Sequence, residues 1–153
     1  QLGYVIGADV RDRGMHRYWN TWQFKHPNVN DFVRVMEKES GLELDWYKEY
    51  FVNSTKTIDY AIKEVKASSE GTSITLERLG LMPMPIDLVV TYRDGTKEMV
   101  YLPLVMMRGE KSEEAGMPKK VMSEAWPWTN PNKTIQLSRS FTEIKSVEID
   151  PSK

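Results

Sequence analysis

The chain has 153 residues, 40% of them apolar, and a formal charge of −1. That length fits one mid-sized domain or two small ones, and the charge balance gives no electrostatic case for a nucleic-acid partner. Cysteine is absent, which excludes disulfides and thiolate chemistry, and no apolar run approaches the roughly 18 residues of a bilayer span. A start at Gln1 rather than at Met leads us to expect a trimmed or processed piece of a longer protein.

Residues 1–6 (QLGYVI) read as the tail of a helix that Gly7 ends. From Ala8 to Phe24, Val10, Met15, Tyr18, Trp19 and Trp22 fall near one helical face. Gly14 weakens that helix by about 1 kcal/mol relative to Ala, and we expect it to serve close packing against a neighbour. Pro27 forces a break, and Asn28 is placed to cap the next helix. There Val29, Phe32, Val33 and Met36 follow the i, i+3, i+4, i+7 pattern. Gly41 is placed to stop it in a left-handed turn, with Leu42 folding back toward Met36 or Glu37. A third short helix is expected over Leu44–Val52, burying Tyr47, Tyr50 and Phe51.

After Asn53 the apolar period changes from 3.6 to 2. Ile58, Tyr60 and Ile62 alternate with polar residues, and Val65 falls out of phase, which predicts a bulge or a strand end. Gly71 marks a turn before Ile74 and Leu76. The clearest strand carries Ile86, Leu88, Val90 and Tyr92. Arg93-Asp94-Gly95-Thr96 reads as a hairpin turn, because Asp-Gly tolerates positive φ. Lys97–Met107 is the expected return strand, with Pro103 marking an edge or an end. Residues 108–120 read as a charged loop, and two late strands are expected near Thr134–Ser138 and Ile144–Ile149. Short strands separated by turns predict an antiparallel sandwich.

The chemistry available is limited. A zinc hydrolase site takes about three N, O or S ligands. His16 and His26 are the only histidines, and their spacing of ten puts them on different elements. There is no H-E-x-x-H, no G-x-S-x-G elbow and no Gly-rich phosphate loop. Glu113-Glu114 sits in a charge run that reads as solvated surface. Asn53-Ser54-Thr55 and Asn132-Lys133-Thr134 match the glycosylation sequon, a short pattern that also occurs by chance. In EAWPWTNP, Trp126 and Trp128 flank a proline. They offer either a flat platform for a sugar or peptide, or one ring in a core and one at its edge.

The block Tyr18-Trp19-Asn20-Thr21-Trp22, then Phe24-Lys25-His26-Pro27, Asp31-Phe32, Ser40-Gly41 and Leu44-Asp45-Trp46-Tyr47, resembles the last helices of the catalytic domain of M1 family zinc aminopeptidases (gluzincins). More loosely, the resemblance runs through Lys56-Thr57-Ile58-Asp59-Tyr60 into the small β-domain that follows. It is strongest over about the first 65 residues and most similar to bacterial members. The resemblance implies that the zinc motif, the G-x-M-E-N substrate loop and the catalytic tyrosine lie upstream of Gln1. No catalytic or metal-binding residue is therefore assigned to this chain, and no cofactor; zinc belongs to the parent enzyme.

The combined expectation is an α+β chain. A short helical segment, residues 1–55, is the end of a catalytic domain, and an antiparallel immunoglobulin-like β-sandwich fills residues 56–153. It would act as scaffold and inter-domain support in an enzyme that trims N-terminal residues from peptides. The upstream catalytic domain would be its partner. Trp19, Trp22, Phe32 and Met36 are candidates for the surface facing that domain, and for self-association of the chain alone. The alternative is a binding module that recognises glycan or peptide through Trp126 and Trp128.

Overall fold

Gly7 (φ 92°) and the Phe24–Asn28 turn cut the first forty residues into helices α1 (Leu2–Ile6), α2 (Ala8–Trp22) and α3 (Val29–Ser40). The computed structural model describes residues 1–113, 116 and 118–151. Asn28 caps α3 as its chemistry predicts. Its side chain accepts from the Asn30 and Asp31 N–H groups, and the Asp31 carboxylate accepts from the Asn28 N–H at 2.9 Å. These bonds satisfy amides that have no partner within the helix. Gly41 stops α3 in the left-handed region (φ 71°), its N–H on the Glu37 carbonyl at 2.8 Å. Gly14 is buried where α2 meets α3, and a methyl group there would stand 2.5 Å from the Met36 sulfur.

The third helix fills nearly the expected stretch but is not one continuous α-helix. One α turn, α4 (Asp45–Tyr47), passes into a π turn over Lys48–Val52, closed by the Asn53 N–H on the Lys48 carbonyl. Trp46 and Tyr47 are buried and Tyr50 half-buried, but Phe51 stacks on Tyr47 while remaining exposed. The wider π turn rotates Phe51 away from the inner face that a continuous α-helix would have given it.

Seven strands follow: β1 (Tyr60–Ser68), β2 (Gly71–Arg78), β3 (Ile86–Tyr92), β4 (Lys97–Leu102), β5 (Lys120–Met122), β6 (Asn132–Leu137) and β7 (Ile144–Ile149). They form two sheets, β1–β2–β6 and β5–β4–β3–β7. All pairs are antiparallel except β4–β5. The chain is thus α+β, and its second sheet is mixed rather than purely antiparallel. One core takes side chains from both sheets: Ile74, Leu76, Ile135 and Leu137 from the first, and Ile86, Leu88, Val90, Tyr92, Val100 and Leu102 from the second. Ile86, Leu88, Val90 and Tyr92 share a face because side chains alternate along a strand. The Arg93–Thr96 turn forms as its sequence predicts, with Gly95 at φ 87° and the Tyr92 N–H on the Thr96 carbonyl. Pro103 follows the last residue of β4, and Val105–Met107 turns in a 3-10 helix instead of extending the strand.

The chain divides into two compact units: Gln1–Thr55 with Val105–Glu114, and Lys56–Leu104 with Ala115–Lys153. The helical unit thus takes in Val105–Glu114 beside the residues up to Thr55. In the helical unit the Glu43 N–H donates to the Met107 carbonyl at 3.0 Å, and the Lys111 ammonium lies 4.5 Å from the centre of the Tyr4 ring. Lys111 is buried, so this part of the expected solvated loop is packed structure. Glu113 is exposed; Glu114 lies outside the described residues.

Gly71 shows where backbone chemistry is limiting. Its φ is 130°, and a Cβ there would lie 2.3 Å from the Leu137 carbonyl oxygen of the neighbouring strand. Gly95 also has a positive φ, 87°, but open space around it. Both alanine variants carry backbone strain of about 1–3 kcal/mol, and only Gly71→Ala adds a backbone clash. Urea unfolding is expected to show a clearly larger loss for Gly71→Ala than for Gly95→Ala. Equal losses would mean that β2 and β6 accommodate the methyl group.

Candidate functional site

The tryptophan pair divides between two environments. Trp126 is 3% exposed and belongs to the shared core, meeting Tyr60 edge-on at 5.5 Å between ring centres. Its indole N–H donates to the Asn130 carbonyl at 2.8 Å, and its backbone N–H to the Pro103 carbonyl at 2.8 Å. A buried indole needs such a partner, and the Pro127–Asn130 turn supplies it. Trp128 is 47% exposed, and its carbonyl accepts from Arg78 Nη2 at 2.6 Å. Of the two arrangements open to the pair, this is the one with a ring in the core and a ring outside it. With Trp126 turned inward to fill apolar space, the pair does not present two faces to one ligand.

The histidines are also apart. His16 lies on α2 beside Asp12, Met15 and Trp19, around a shallow depression, and His26 lies in the loop before Pro27. Neither joins a cluster of potential metal ligands among the described residues. The group of three that could share a cation is Glu37, Glu43 and Asp45. Its carboxylates are already engaged in part, since Glu37 accepts from the Leu44 N–H and Asp45 from the Lys48 ammonium. This trio contains no histidine and does not fit the ligand sets of catalytic zinc.

The densest polar cluster joins the β3–β4 turn to the 3-10 turn Phe141–Glu143. Arg139 lies flat over the Tyr92 ring at 3.9 Å. It donates to Asp94 at 2.7 Å, to Glu143 at 2.5 Å and to the Thr96 hydroxyl at 2.8 Å. Bonds from Thr96 and from Arg139 hold the Asp94 carboxyl well below the usual carboxylate range. Arg139 and the Ser140 N–H lower Glu143 likewise. Arg139 is raised in turn, by Asp94 and then by Glu143. Burial, and then donation to Glu98 at 2.6 Å, push the Tyr92 phenol up. Each charge faces its partner, so the cluster has the character of a clasp between two turns rather than of a reactive site. Its sequence carried only the turn signal; nothing in the spacing of Arg139 pointed to Asp94.

Two further surface features stand out, and the sequence signalled only Trp19 of the first. Along α2 the helical unit exposes Met15, Trp19 (65%) and, beyond the helix end, Phe24 (99%). In the sheet unit, cavities open at the strand edges. One of about 330 Å³ lies between β5 and β6, and one of about 560 Å³ lies between β1 and β7. Comparison with known proteins gives no match to any family model or to any curated protein.

Two predictions follow from these environments. Trp126→Ala empties a core site and is expected to cost about 3–5 kcal/mol in denaturant unfolding, whereas Trp128→Ala stays near the wild-type midpoint. Equal effects would place both rings alike. The second concerns acid. Asp94 and Glu143 have folded pKa values below their unfolded ones, so their contribution is full above the unfolded value of about 4. It is lost as pH falls through the lowered folded values. The thermal midpoint should therefore drop on acidification below about pH 4, and Asp94→Asn should flatten that drop. An identical slope in the variant would remove Asp94 as a contributor.

Proposed function

We propose that this chain is the non-catalytic C-terminal portion of an M1-type zinc aminopeptidase. Residues 1–55 are then the last helices of its catalytic domain, and the two-sheet unit is the immunoglobulin-like β-sandwich that follows. The parent removes N-terminal residues from peptides through a metal-activated water, and the zinc ligands belong to its upstream part. The present chain serves as scaffold.

The observation that carries this reading is the apolar surface of the helical unit. Helix α2 exposes Met15 and Trp19, and the loop after it exposes Phe24; large exposed apolar side chains gathered on one element mark an interaction surface. An upstream domain of the same polypeptide gives that surface a partner. The exposed set differs from the one the sequence suggested. Trp19 belongs to it, but Trp22 and Phe32 are half-buried, Phe32 against Tyr18 at 5.2 Å, and Met36 is buried beneath Gly14. The competing reading, a glycan or peptide module, loses one of its two rings to the core.

The test has two parts. The upstream coding sequence should contain H-E-x-x-H with a downstream glutamate; a different domain there removes the reading. The chain alone should retain no stoichiometric zinc after chelator washing, and it should self-associate through the helical unit. Replacing Met15 and Trp19 by serine should lower light scattering and uptake of a hydrophobic dye. A strictly monomeric native chain with no excess dye binding would show that the helices are self-sufficient and need no upstream partner.

A further inference from the structure

We infer that the cleft between β1 and β7 is a docking groove for an acidic segment in extended conformation. The inference is independent of the aminopeptidase reading. Both walls are terminal strands: β1 pairs only with β2, and β7 only with β3. Their outer edges therefore keep backbone groups free to meet another extended chain.

Two bulges make the groove. In β1 the register slips between Ile62 and Glu64, which brings Ile62 and Val65 to the same side. In β7 it slips opposite Thr91 and Tyr92, so that Ile144 and Lys145 both reach the cavity. A bulge re-aims side chains in this way because one residue drops out of the alternation. The result is a cavity of about 560 Å³ whose apolar floor includes Ile62, Val65, Ile144 and Val147, with the exposed ring of Phe141 beside them.

Its charge is one-sided. Arg93 and Lys145 line the cavity, and no acidic residue does. Among the described residues neither cation is in an ion pair. Of the Arg93 guanidinium only Nε donates, to the Thr142 carbonyl at 2.9 Å. The neighbouring carboxylates are committed, Asp94 and Glu143 to Arg139 and Glu64 to Lys66. A segment alternating apolar and acidic side chains matches this surface. Its apolar row enters the floor, because successive side chains in a strand point to opposite faces, and its carboxylates reach the two cations. Recognition through both area and charge should be salt-sensitive.

The probe is a short fluorescent peptide of alternating leucine and glutamate with blocked ends, titrated into the full chain and followed by anisotropy. A leucine–lysine peptide is the charge control, and anionic phospholipid vesicles are assayed by sedimentation. The acidic peptide should bind saturably, and more weakly in high salt. The double variant Arg93→Gln, Lys145→Gln should bind at least about tenfold more weakly. Glutamine at position 93 keeps a donor for the Thr142 carbonyl, and Lys145→Glu alone provides a second variant should the double one melt early. No saturable binding, equal binding of the lysine peptide, or undiminished binding by the variants would overturn the assignment. Capture by vesicles without peptide binding would replace the peptide with a lipid surface and overturn it equally.

Discussion

Ile86, Leu88, Val90 and Tyr92 carry the inner face of β3 into a core fed by both sheets, and the other strands are placed with respect to that row. Burying side chains of this size contributes about 1.5–3 kcal/mol each, so β3 cannot shift register by one residue without turning the whole row outward. β4 and β7 pair on its two sides, which fixes β3 as an interior strand. Its other face is buried as well, with Asp87 and Val89 both nearly inaccessible. The alternation in β3 therefore states which side faces the shared core, and not which side faces water.

Local chemistry was legible wherever one residue type has one physical use. Asn28 and Gly41 bound α3 because a short polar side chain caps and a glycine tolerates the left-handed turn. Val65, out of phase in a two-residue period, left a bulge or a strand end open, and β1 takes the bulge. Asp94-Gly95 set the hairpin, and Pro103 ended β4. What escaped notice depended on distant partners. β5 is three residues long and pairs in parallel with β4, so it has no alternation to display. Parallel neighbours need a crossover of a dozen residues or more. That crossover contains Val105–Glu114, the stretch grouped with the helices. Lys111 illustrates why composition misled there: a lysine in a charge-rich run is ordinarily solvated, but this one sits over the Tyr4 ring, where the aromatic face offsets part of the cost of burying an ammonium.

The functional site was less legible than the fold, and the two tryptophans explain the difference. Trp-Pro-Trp concentrates contact area in three residues, and contact area serves a core as well as a ligand. The deciding fact is the position of a hydrogen-bond acceptor. Asn130 presents its carbonyl to the Trp126 indole, so that ring can be buried without an orphaned donor. Trp128 offers its backbone carbonyl to Arg78 and leaves its ring outside. The sequence contains both residues but not the turn geometry that separates their roles.

Edge strands expose unpaired backbone, and proteins commonly limit that hazard with bulges and charged side chains. β1 and β7 use both devices: each carries a bulge, with Lys63 at the slip in one and Lys145 at the slip in the other. Lys63 is neutralised, its ammonium 2.9 Å from Glu77. Lys145 is not, and it faces the apolar cavity with Arg93. An unpaired lysine guards the edge by its charge alone, and beside Arg93 the same charge favours an anionic partner over a neutral strand. The same bulges that keep unselected strands from adding to the sheets thus leave a surface that discriminates by charge. The proposed acidic segment would meet the difference between the two lysines at the bulge of β7.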